Sequence, residues 1–101
     1  MKKIVKQVLG IDVAQKELVV CLGRMYDDWI PQLYRHKTFS NTAKGFEAMT
    51  LWAKKQTEDG CAIRYVMEAT GVYHESLAYF LEEKGYEVSV VLPNKISNYF
   101  R

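Results

Sequence analysis

Cysteine is scarce in this 101-residue chain: Cys21 and Cys61 stand alone, without CxxC spacing or nearby histidine, which argues against a disulfide framework and against a thiolate metal site. Each sits in an apolar, strand-like run, so both are expected to be buried thiols. Long hydrophobic stretches are missing as well. After the basic opening Met1-Lys2-Lys3, the residues Lys6, Gln7 and Asp12 interrupt any signal-peptide or membrane-spanning run, and a cytoplasmic location is the default expectation, with no membrane partner. Neither charge sign dominates, since fourteen Lys and Arg against twelve Asp and Glu leave only +2, too little to indicate a nucleic-acid partner by itself. Repeats, low-complexity tracts and interdomain linkers are also absent. What remains is 49% hydrophobic content, enough for one domain around one core.

The pattern of that hydrophobicity predicts alternating element types. Ile4 to Val13 is β-rich, and after a break at Ala14-Gln15-Lys16 the run Glu17 to Leu22 completes a hairpin. Asp27-Asp28-Trp29-Ile30-Pro31 supplies the next turn, and Gln32 to Phe39, with Arg35, His36 and Lys37, suits an exposed sheet edge guarded by charge. Ser40-Asn41-Thr42 offers N-cap side chains to a helix in which Phe46, Met49, Trp52 and Ala53 recur at helical spacing, ending near Asp59-Gly60. Ala62 to Ala69 reads as a buried strand. Val72 to Lys84 reads as a helix with Tyr73, Leu77, Phe80 and Leu81 on one face and Gly85 as its stop, and Tyr86 to Leu92 as a fifth strand.

Three meandering strands, then helix, strand, helix and strand, require parallel crossovers in the second half. This is the order of the ribonuclease H-like α/β fold, a five-stranded mixed sheet arranged 3-2-1-4-5 with helices packed on it. The final run from Pro93 to Arg101 begins another turn and helix without a cap, as though the chain were truncated.

Two carboxylates interrupt this pattern. Asp12 ends the apolar strand Val8-Leu9-Gly10-Ile11-Asp12, and Glu68 ends Ile63-Arg64-Tyr65-Val66-Met67-Glu68; an ionised group in either place is costly unless solvated, paired or bound to a cation. If the two strands are parallel neighbours, both groups meet at the carboxyl edge, where open α/β sheets build their sites. Two hard oxygen ligands there suit Mg²⁺ or Mn²⁺. The structural alternative is that Asp12 makes a strand-end turn and Glu68 interacts with the following helix dipole. The pair, given the topology, favours metal.

At these residues the chain resembles a family. Gly10-Ile11-Asp12-Val13-Ala14-Gln15-Lys16, Phe39-Ser40-Asn41-Thr42 with Gly45, Met67-Glu68-Ala69-Thr70-Gly71-Val72-Tyr73, and Val91-Leu92-Pro93-Asn94 are similar to the amino-terminal domain of DEDD insertion-sequence transposases, which include the Piv-type DNA invertases. The resemblance covers essentially the whole chain, and Glu-Ala-Thr-Gly-x-Tyr is its most specific block. It implies that Asp12 and Glu68 are the first two catalytic, metal-binding acids of a tetrad. The other two acids and a serine-bearing carboxyl-terminal domain are expected beyond residue 101. It implies DNA as partner, both insertion-sequence ends and target, with a guide or structured RNA as a further candidate, and a homo-oligomer at full length.

Lys16, Thr70, Gly71, Tyr73 and Lys95 are the candidate nucleic-acid contacts, set against ordinary roles in turns and core packing. His36 and His74 lack partners at ligand spacing and are expected to serve surface or packing roles. Three rival functions remain. A sugar-kinase-like phosphotransferase is disfavoured because Ala14 and Gln15 replace phosphate-cradling residues. A Holliday-junction resolvase would share the metal chemistry. A metal-free binding or oligomerisation module would leave the carboxylates structural.

Overall fold

The computed structural model describes residues 3–68 and 71–91. Its elements run β1 (Ile4–Val13), β2 (Glu17–Tyr26), β3 (Pro31–Ser40), α1 (Ala43–Gln56), β4 (Ile63–Glu68), α2 (Glu75–Glu83) and β5 (Glu87–Val91). They build a five-stranded sheet of order β3-β2-β1-β4-β5, in which β1 pairs antiparallel with β2 and parallel with β4. The expected ribonuclease H-like arrangement is therefore the one observed.

The central position of β1 explains its composition. Flanked by strands on both sides, β1 reads as a nearly continuous apolar run, and every residue from Gln7 to Ile11 is buried. The edge strand β3 shows the opposite: it is almost wholly exposed and carries Arg35, His36 and Lys37. Leu9, Ile11 and Val13 of β1 join Leu18, Val20 and Leu22 of β2 and Tyr65 and Met67 of β4 in one core with Phe46, Met49 and Ala53 of α1 and Leu77 and Leu81 of α2. Both helices thus pack on the same face.

Helix α1 starts where Thr42 takes an extended backbone and its hydroxyl oxygen accepts from the Gly45 amide at 3.1 Å. Gly45 is required because a Cβ there would run into the carbonyl oxygen of Ser40. The helix stops at Gln56, short of Asp59-Gly60, and Trp52 leans edge-on against Phe39 at 5.6 Å between ring centroids. Helix α2 ends in a Schellman motif: with Gly85 at φ +83°, its amide donates to Glu82 and that of Tyr86 to Leu81, both at 3.0 Å.

Three expectations need correction. Cys21 and Cys61 are half-exposed, and Cys61 lies in the bend before β4 because the strand begins only at Ile63. Helix α2 begins at Glu75 and not at Val72, since Gly71 at φ +67° and the Glu75 amide bonded to the Val72 carbonyl at 3.2 Å form a separate turn. Tyr73 therefore lies in that turn, 45% exposed, and not on the core face of the helix. The reading of Pro93 to Arg101 falls outside the described residues.

Candidate active site

The parallel register of β1 and β4 runs from Gln7↔Ile63 to Ile11↔Met67. Asp12 and Glu68 each stand one residue past the final pair, on neighbouring strands whose spacing is about 4.8 Å. Because Ile11 and Met67 both face the helix-covered core, side-chain alternation turns Asp12 and Glu68 to the other face together. Asp12 is exposed and Glu68 half-buried. Glu68 is also seven residues ahead of α2, whose first turn carries its own acid, Glu75, so proximity to that helix end does not account for it.

This donor set is two carboxylates at one sheet edge, the chemistry of a hard divalent cation. Among the described residues no group of three or more His, Cys, Asp or Glu gathers closely enough to hold a metal ion, so the pair is an incomplete ligand set. His36 is exposed on the edge strand and His74 is half-buried at the start of α2.

The remaining candidates divide. Lys16 is exposed in the β1–β2 turn, and its carbonyl accepts from the Asn41 amide at 3.0 Å. Gly71 and Tyr73 occupy the turn that follows β4, at the same edge as the carboxylates, and the Tyr73 ring folds back beside Gly71. Thr70 and Lys95 lie outside the described residues.

Asn41 is the residue that sequence reasoning left as a cap candidate only. Its side-chain nitrogen donates to the Ala14 carbonyl at 2.9 Å and to the Tyr73 carbonyl at 3.1 Å, joining the turns that follow β1 and β4. The available signal was its place inside the Phe-Ser-Asn-Thr block. A groove beside it is lined by Gln15, Thr42, Val72, Tyr73 and Ser76. A roomier cleft, bordered by Lys54, Thr57, Gly60, Ile63, Tyr86 and Glu87, opens at the opposite edge of the sheet, away from Asp12 and Glu68. The candidate site is therefore marked by the carboxylates and not by cleft size.

Comparisons with known proteins bear on the family and the fold. Residues 9–101 match the family model of DEDD transposases of the IS110 type, described as Transposase. The chain is 31% identical over 94 residues to the pilin gene-inverting protein of Moraxella bovis, covering 93% of the chain and 27% of that relative. The pilin gene-inverting protein of Moraxella lacunata gives the same identity and coverage. The chain thus spans about a quarter of the length of these relatives, 27% in each. Among solved structures, T. thermophilus RuvC in complex with a Holliday junction substrate superposes with a TM-score of 0.58 at 12% identity, over 92% of this chain and 67% of RuvC. That likeness establishes the ribonuclease H-like fold.

Proposed function

The chain belongs to the DEDD transposase family, and on that premise we propose that it supplies Asp12 and Glu68 as the first two metal-binding acids of a centre that cuts and rejoins DNA at insertion-sequence ends. The observation that carries this reading is the placement of both carboxylates one step past the final β1–β4 register pair, on the same face. Two carboxylates do not fill the coordination shell of such a cation, so the centre needs further oxygen ligands. Mg²⁺ or Mn²⁺ held there would polarise the scissile phosphate and stabilise the leaving oxygen. Asp12 and Glu68 fix where that charge sits. The exposed Lys16 and Tyr73 flank the same edge and are suited to hold the DNA backbone, while Gly71 lets backbone approach a phosphate closely.

The test uses the full-length protein carrying Asp12→Asn or Glu68→Gln in a divalent-metal-dependent assay of insertion-sequence excision. Each change is expected to reduce activity on the order of a thousandfold or more, as when a member of a catalytic unit is removed. Asp12 is exposed, so Asp12→Asn should leave folding stability within about 0.5 kcal/mol. Wild-type activity in either variant would contradict the assignment. The 101-residue chain alone should be inactive, because two carboxylates form an incomplete cage for a cation that gives up water reluctantly.

A further inference from the structure

Asn41 connects three segments at the edge that carries Asp12 and Glu68. Its backbone amide donates to Lys16, and its side-chain nitrogen donates to Ala14 and Tyr73. Both side-chain partners are carbonyl oxygens, which only accept, so the orientation of the Asn41 amide is determined by chemistry. Ala14 comes two residues after Asp12 and Tyr73 five after Glu68. The paired register of β1 and β4 ends at Ile11↔Met67, before either carboxylate, so the bridge through Asn41 links the segments that follow the two strands beyond that point.

We propose that Asn41 is a positioning residue, holding the turns after β1 and β4 at a fixed separation and thereby setting how tightly Asp12 and Glu68 grip a divalent cation. The proposal rests on the metal-binding reading above. Groups that orient ligands without touching the metal change affinity by roughly 10- to 100-fold when removed. The neighbouring Thr42 provides the control: it caps α1 through Gly45 and its hydroxyl meets that of Ser40 at 2.8 Å, so among the described residues its side chain bonds to its own loop and helix and not to either turn. Thr42→Ala therefore loosens the same corner without releasing the bridge.

Mn²⁺ binding by the full-length protein, followed by electron paramagnetic resonance, separates the outcomes. Asn41→Ala and Asn41→Leu, the second keeping the bulk and removing both donors, are each expected to raise the Mn²⁺ dissociation constant about tenfold or more. Thr42→Ala should bind as the wild type does. Unchanged Mn²⁺ affinity in folded Asn41 variants, or an equal loss in Thr42→Ala, would overturn the positioning role. If the wild-type protein itself binds no Mn²⁺, the metal reading falls and this proposal falls with it.

Discussion

The two ends of the β1–β4 pair handle polar groups in opposite ways. At the amino end Gln7 is 1% exposed and fully used: its side-chain nitrogen donates to the carbonyls of Glu58 at 3.1 Å and Cys61 at 2.6 Å, and its oxygen accepts from the Glu58 amide at 2.8 Å. At the carboxyl end Asp12 is exposed, Glu68 is half-buried and Asn41 is half-exposed. A buried, saturated amide serves the fold, since its bonds replace those water would make and any missing partner is costly. An exposed carboxylate such as Asp12 leaves oxygen within reach of a group outside the chain, the use proposed for it above. The same strand thus ends in a structural latch at one side and a candidate ligand at the other.

The largest expected effect comes from breaking the latch. Gln7→Leu would strand an amide and two carbonyls of the α1–β4 connection, and should cost on the order of 3 kcal/mol. Denaturant unfolding would show it as a lowered midpoint at unchanged slope. Asp12→Asn, measured side by side, is expected to move the midpoint hardly at all. If Gln7→Leu proved as harmless as Asp12→Asn, the contrast between the two ends would be gone.

A smaller effect tests the corner at the carboxyl end. Gly45→Ala brings a methyl against the Ser40 carbonyl and should cost about 2 kcal/mol, whereas Thr42→Ala loses one cap and should cost about 1 kcal/mol. Thermal unfolding that ranks Thr42→Ala as the more damaging would show that helix α1 does not approach Ser40 as closely as the structure has it.

Much of this was legible beforehand, for identifiable reasons. An apolar run ended by a lone acid, twice, combined with the parallel crossovers that two helical connections demand, was enough to bring Asp12 and Glu68 to one edge. The cap at Thr42 and the stop at Gly85 are local signals, and local signals survive folding. The start of α2 was misread because Tyr73 matches the helical period, while Gly71 at φ +67° commits the backbone to a turn that periodicity does not register. The bridge by Asn41 spans 27 and 32 residues, beyond any local pattern. Gln7 was within reach: it is a polar residue at a core position of an apolar strand, the same anomaly that singled out Asp12.

Tyr65 gives the smallest and sharpest test, because it is a polar group in the structural half of the sheet that lacks the saturation of Gln7. Its side chain is wholly buried and packs on Tyr86 at 5.2 Å between ring centroids, and its hydroxyl has no hydrogen-bond partner among the described residues. Burial pushes the phenol far above the usual tyrosine range, with the Tyr86 phenol adding to the rise. At neutral pH the hydroxyl is protonated in both folded and unfolded chains, so Tyr65→Phe removes an unmatched donor and should be neutral or stabilising by up to about 1 kcal/mol. As pH rises the effect keeps its sign and grows in size. Above about pH 10 the unfolded chain releases the Tyr65 proton while the folded chain keeps it, so the unfolded state binds fewer protons and wild-type stability falls. The phenylalanine variant escapes that loss, and its advantage should widen between about pH 7 and about pH 10.5 in guanidinium titrations. A variant destabilised at neutral pH, with no gain in alkali, would mean that the Tyr65 hydroxyl is satisfied, and the contrast with Gln7 would be lost.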